Sequence, residues 1–217
     1  KAMNAAWDAG ATVRYSSADG GRYVVSGLAD GTIRRLVSEL TLRANRGSAS
    51  GSVLPRPRVG LYQPWTASMD EGWTRLVLDQ FEIPYTTIHN AEIRAANLHQ
   101  RYDCIIFPDL GARSILNGRA KDTTEPQFIG GIGQEGIVAL QDFVQHGGTL
   151  VCIDESTALP IQHFNIPVKN IVQSKKSEEF YCPGSLLRLN INTDHPLGYG
   201  MSPWYAGYFA RSQAFAL

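Results

Sequence analysis

The fold this sequence predicts is an α/β protein built on a flavodoxin-like, doubly wound, mostly parallel sheet, with a small N-terminal α/β appendage. Three observations predict it. After residue 57, apolar runs of strand length alternate with stretches of helical periodicity. Runs such as "YDCIIFPD" (102–109) are apolar through their centres, as strands covered on both faces must be. The helices between them are long enough to be right-handed crossovers.

The elements follow in order. "KAMNAAWDAG" opens as helix, and "VRYSSADGGRYVVSG" reads as two short strands around a turn at Asp19, Gly20 and Gly21. "DGTIRRLVSELTLRAN" is an amphipathic helix with Ile33, Leu36, Val37 and Leu40 on one face. This connecting segment ends at residue 46. "GSASGSVLPRPR" combines a Gly/Ser run with two prolines and reads as a linker over 47–57, leaving the main domain as 58–217. "RVGLY" is a strand, and "SMDEGWTRLVLDQF" a helix with a Ser68–Glu71 capping box and Trp73, Leu76, Val77 and Phe81 at helical spacing. "YTTIH" is a strand, "AEIRAANLHQ" a helix and "YDCIIFPD" the third strand. "GQEGIVALQDFVQHGG" turns Ile137, Leu140 and Val144 inward, stops at Gly147–Gly148 and leads into the strand "TLVCID". "ESTALPIQHF" reads as a short helix, "SLLRLNI" and "YFARSQAF" as further strands, and "TDHPLGYG" as a turn-rich connection.

Charge and composition exclude several classes. Twenty basic residues balance twenty acidic ones, and no basic block exceeds a pair such as Arg34–Arg35, so nothing marks a nucleic-acid or anionic-lipid partner. No apolar run has membrane-spanning length, and the first residues lack the order of a signal peptide. A start at Lys1 within helical sequence suggests a piece of a longer protein. Three cysteines, two of them in apolar strands, argue against a disulfide framework.

In a sheet of this kind ligands enter beyond the carboxyl ends of the strands, which nominates Gln63, Trp65, Asp109, Asp154 and Glu155 as a binding crevice. An exposed Trp65 indole beside acids would suit a peptide or sugar end with an apolar side and an amine. Cys152 stands near a strand end, where a nucleophile elbow requires small residues two before and two after it. Leu150 and Asp154 hold those places, so Cys152 is expected to be inert and packed, as is Cys104. Cys182, in "FYCPGS", lies on a loop and is an alternative nucleophile, as the Asp109, Asp154 and Glu155 cluster is an alternative acid/base set. Capping is the plainer role for those acids. His89, Glu92 and His99 superficially match a zinc set, but Glu92 in a first helical turn is explained by the helix dipole. "IGGIGQEG" could cradle an anion, although a tight entry turn explains its glycines as well.

From Arg58 onward, "PRVGLYQPWTASMDEGWTRLVLDQFEIPYTTIHNAEIRAANLHQRYDCIIFPD", "GGIGQEGIVALQDFVQHGGTLVCIDESTALPIQHFNIPVKN" and "FYCPGSLLRLNINTDHPLGYGM" resemble the C-terminal region of large bacterial zinc carboxypeptidase-like proteins. In that group a carboxypeptidase A-like catalytic domain precedes a class I glutamine amidotransferase-like domain. The resemblance spans about three quarters of the chain. It implies the amidotransferase-like fold, an exported zinc-dependent peptidase as parent, and an upstream carboxypeptidase domain as partner. Zinc and the peptidase site would then belong to that upstream domain. The family's Gly-x-Cys-x-Gly elbow and its His-x-Glu pair have no counterpart here. The expectation is therefore a noncatalytic accessory domain that binds a peptide or small molecule, regulates, or supports structure. Its rivals are an independent hydrolase or transferase and a homo-oligomerisation module using the aromatic tail Tyr199, Trp204, Tyr205, Tyr208 and Phe209, for which core packing is the plainer role.

Overall fold

The computed structural model describes residues 1–16, 21–48, 50–198 and 200–217. The N-terminal unit comprises α1 (Ala2–Asp8), β1 (Thr12–Ser16), β2 (Arg22–Ser26), α2 (Asp30–Glu39) and β3 (Ser52–Val53), with antiparallel sheet order β2-β1-β3. Asp19 and Gly20 of the expected turn lie outside the described residues. Ala6, Ala11 and Val13 form a small core under Met3, Trp7 and Leu54. The segment expected as a linker supplies β3, and Leu54 N–H donates to Val13 O at 2.9 Å. Gly51 permits this approach: at φ +99°, a Cβ would stand 2.3 Å from the Tyr15 carbonyl oxygen. Asn4 Nδ2 donates to Phe81 O at 3.1 Å and Lys1 pairs with Glu82 at 3.5 Å, tying α1 to the main domain.

The main domain runs β4 (Val59–Tyr62), α3 (Met69–Gln80), β5 (Tyr85–Ile88), α4 (Asn90–Arg94), α5 (Leu98–Arg101), β6 (Cys104–Phe107), α6 (Ala112–Asn117), α7 (Gly133–Gln145), β7 (Thr149–Cys152) and α8 (Ala158–His163). It continues with β8 (Lys169–Asn170), β9 (Ser185–Asn190), β10 (Trp204–Phe209) and β11 (Phe215–Ala216). The central sheet has order β5-β4-β6-β7 with all pairs parallel, an α/β arrangement compatible with a flavodoxin-like core. The expected single helix over 91–100 is two short ones, because Ala96 and Asn97 are both left-handed at φ +60° and +51° and break the ladder.

In-register rows Gly60–Ile105–Leu150 and Leu61–Ile106–Val151 put alternate residues on opposite faces. One face is densely packed. Tyr62 stacks on Phe107 at 4.6 Å, and both join Ile105, Ile137, Leu140 and Phe143 under α4 to α7. Gly60 keeps this face tight, since a Cβ there would come within 2.9 Å of Ile88 Cδ1. The opposite face is served by α3, which is turned contrary to the sequence expectation. Ser68 caps it as predicted, accepting from Glu71 N–H at 3.1 Å. Glu71 and Leu78 are buried, and Arg75 reaches from Glu71 to Tyr85 Oη and Thr87 Oγ1, each at 3.2 Å. Trp73, Leu76, Val77 and Phe81 are instead exposed, Trp73 at 59%. The Glu71–Arg75 pair and its hydroxyl partners on β5 claim the inward side, so the apolar stripe faces water. On α7, Ile137 and Leu140 are buried as expected whereas Val144 is exposed, because it lies at the rim where β7 closes the sheet.

The backbones of α6 and the following loop interlock. Cβ atoms at Gly118 and Gly131 would fall 2.0 Å from Gly130 O and 2.2 Å from Ile115 O. Gly130 N–H donates to Arg119 O at 2.8 Å, joining the ends of the 119–130 excursion. In the C-terminal region β9 pairs with β10 and β8 with β11, both antiparallel. The strand expected in "YFARSQAF" stops at Phe209, and Arg211 turns left-handed at φ +53°. Trp204, Tyr205 and Tyr208 are exposed rather than core; Tyr199 lies outside the described residues. Among the described residues no helix is long and apolar enough to cross a membrane.

Candidate functional site

Strands β6 and β7 end side by side, and there the chain turns back. Ile153 extends β7 by one residue, donating to Phe107 O at 3.1 Å. Asp154 then adopts φ +47° and opens a 3-10 turn, Asp154–Thr157, that runs into α8. A left-handed side-chain residue costs about 1 kcal/mol, and Asp is among the few that adopt it readily. Ser156 holds the bend. It is fully buried; its Oγ accepts from Ile153 N–H at 2.8 Å and lies 2.8 Å from Ile153 O and 3.2 Å from Phe107 O.

Strand, sharp turn and helix, with Cys152 and Ser156 two residues either side of the apex, is the backbone of a nucleophile elbow. Its apex carries a carboxylate. Cys152 sits in the extended strand against the packed face, and burial pushes its thiol up to about 12, a contact with Ser156 opposing this. Cys104, on the other face, is also raised by burial and by Asp103.

Asp154 is tied down on all sides. Ser212 Oγ donates to its Oδ2 at 2.6 Å, and its backbone carbonyl accepts from Thr157 Oγ1 at 2.5 Å and Gln213 Nε2 at 3.2 Å. Asp109 Oδ1 accepts from Glu155 N–H at 3.0 Å. Burial first, and then the charges of Asp154, Glu155 and Asp70, hold the Asp109 carboxyl above its ordinary range, opposed by the Glu155 N–H. The structure thus brings Asp109, Asp154 and Glu155 together. Gln63 and Trp65, just beyond β4, have partners of their own: Gln63 O shares a 2.8 Å hydrogen bond with His89 Nδ1. The Trp65 indole stacks on the His89 ring at 3.8 Å and against Phe128 at 4.8 Å. The indole expected beside acids is engaged by other rings.

A cavity of about 610 Å³ opens next to the acid turn, with Glu155, Arg113, Arg211, Ser212, Gln213 and Cys182 in its lining. Its far wall is the C-terminal segment, latched by the Ser212 and Gln213 bonds and by Arg211 N–H donating to Cys182 O at 2.9 Å. Cys182 donates weakly to Phe209 O at 3.8 Å. The two arginines and the latch carry no local sequence signal, because Ser212 meets Asp154 across 58 positions.

His89 caps α4, its N–H donating to Glu92 Oε2 at 2.9 Å, so the His89–Glu92–His99 spacing is helix capping; His99 packs elsewhere, against α7. In the glycine-rich loop, Gly130 and Ile132 spend their N–H groups on Arg119 O and Ile115 O. Its Gly130 and Gly131 carbonyls accept from Asn90 Nδ2 at 2.8 Å and from the Arg94 guanidinium. That polarity is the reverse of an anion cradle.

Comparison of the chain with family models, with curated proteins and with solved structures found no match. The site's chemistry therefore rests on its own geometry. The cavity lining sets the Glu155 carboxylate and the Arg113 and Arg211 guanidiniums around one space, groups of the kind that pair with an amine and with a carboxylate.

Proposed function

We propose that this chain is a noncatalytic, class I glutamine amidotransferase-like accessory domain of a zinc metallocarboxypeptidase-like protein whose catalytic, zinc-bearing domain lies outside it. One observation carries the reading: the elbow of the sheet is built, but Asp154 occupies its apex and the nearest thiol is packed in the preceding strand. An acid nucleophile there would also need a base to activate water. The side-chain contacts of Asp154 are hydroxyls and an amide, and none of these hydrogen-bond partners is a histidine.

The ligand is a small zwitterion, such as a peptide end. Its amine faces Glu155 and its carboxylate faces Arg113 and Arg211, in a cavity of about 610 Å³, within the range of small-molecule sites. Partner contact with the upstream domain draws support from the exposed apolar stripe of α3 and from the β9–β10 hairpin, which exposes Leu186 at 75% and Tyr208 at 73%.

The test pairs two measurements on the purified chain. Ammonia release from glutamine should stay at the buffer rate, and a mixture of free amino acids and dipeptides should raise the melting temperature in wild type but not in Arg113→Ala/Arg211→Ala. Glutamine hydrolysis lost in Cys182→Ala or Asp154→Asn would establish the hydrolase reading instead. A dipeptide shift that survives the double variant would remove the ligand assignment.

A further inference from the structure

At the opposite, amino-terminal end of the sheet, α5 and the end of α7 meet just before β6 and β7 begin. Asp142 and His146 stand at i and i+4 on one face of α7, and His99 reaches them from α5. We propose that His99, Asp142 and His146 form a binding site for one borderline divalent cation, zinc in the first instance. It is separate from the acid turn.

Four observations carry this. The donor set, two imidazoles and a carboxylate, is one that zinc, nickel, cobalt and copper favour over calcium or magnesium. One ligand atom from each residue lies within 4.8 Å of the others. Two donors each about 2.1 Å from a tetrahedral centre stand about 3.4 Å apart. His146 Nδ1 is 3.2 Å and His99 Nδ1 3.5 Å from the Asp142 carboxylate oxygens, close to that spacing. The rings stack at 4.5 Å with planes 18° apart, so one ring must turn before both in-plane lone pairs meet at a single ion.

The fourth observation is an unmet need. His99 Nδ1 is buried from solvent and has no hydrogen-bond partner, since the Asp142 carboxylate near it lies outside bonding geometry. A buried polar nitrogen left unpaired is costly, and a cation between it and Asp142 satisfies both. His146 Nδ1 would exchange its 2.9 Å contact with Asp142 O for the metal. Three protein donors leave a fourth position to water. Bound there, the cation clips α5 to α7, and both helices pack on the dense face of the sheet through Leu98, Leu140 and Phe143.

The experiment uses the full chain, stripped with a chelator and titrated with zinc chloride by calorimetry, and with cobalt chloride by visible absorption. The expected result is one zinc per chain with Kd below about 10 µM, cobalt bands of a four-coordinate site, and a melting temperature that rises with zinc. His99→Ala, Asp142→Asn and His146→Ala should each weaken binding at least about tenfold, and His195→Gln should leave it unchanged. All three positions are partly exposed, so circular dichroism should show the variants folded without metal. Absence of saturable binding, or zinc binding that persists in His99→Ala/His146→Ala, overturns the proposal.

Discussion

The two faces of the central sheet are built on opposite plans. On one, Tyr62, Ile105 and Phe107 lie under four helices in a continuous apolar core. On the other, α3 turns a carboxylate, a guanidinium and a threonine hydroxyl toward the strands and leaves Met69, Trp73, Val77 and Phe81 in water. Both helix layers are amphipathic in sequence, so amphipathicity fixes where the apolar stripe is but not which way it faces. On the α3 face, Tyr85 Oη and Thr87 Oγ1 hold the Arg75 guanidinium inward beside Glu71, although Leu61 and Ile106 share that face.

The largest effect should come from breaking the dense face. Phe143→Ala deletes a fully buried ring and should cost about 3–5 kcal/mol in urea unfolding. A loss under about 1 kcal/mol would mean that this face is not close-packed. Removing Glu71 leaves Arg75 without its closest partner, at 30% exposure, and Glu71→Ala should cost about 2 kcal/mol. The double variant Glu71→Leu/Arg75→Met should recover most of that loss, because an apolar pair suits a half-buried site better than half an ion pair.

Thiol chemistry sharpens the comparison next. With its thiol pushed up to about 12, Cys152 should alkylate at pH 8 on the order of a thousandfold more slowly than an ordinary cysteine. Cys104, on the thinner face, should react ahead of it, and mass spectrometry of the modified peptides gives the order. Where the faces meet at the carboxyl edge, Asp109 binds its proton more tightly folded than unfolded. Stability is therefore lost as pH rises through its folded value. Asp109→Asn, which can still accept from Glu155 N–H, should raise the melting temperature slightly at neutral pH, with the gain fading below the usual carboxylate range. The smallest effect belongs to the outward stripe: Trp73→Ser should change stability by no more than about 0.5 kcal/mol.

The strands β4 to β7 were legible because each is a short apolar run bounded by turn residues, and the Ser68 cap because it is local. The split between α4 and α5 was not, since neither Ala96 nor Asn97 announces a left-handed pair the way glycine would. The acid cluster could be read from strand-end position alone. The elbow also had a signal, the small residues Cys152 and Ser156 two either side of Asp154, but a search centred on a thiol passes over an apex aspartate. Asp142 and His146 announce themselves by i,i+4 spacing; His99, from another helix, does not. The Ser212 latch and the arginine walls of the cavity depend on the path of the C-terminal segment, which no local pattern records.

The closed neck at Arg119 and Gly130 makes the chain between them a side branch whose two ends leave and rejoin the domain at a single point. Residues 121–123 at its tip are exposed, so the branch is a natural splice point. A fluorescent protein or epitope inserted after Asp122 would ride outside the fold, leaving the strands of the sheet untouched.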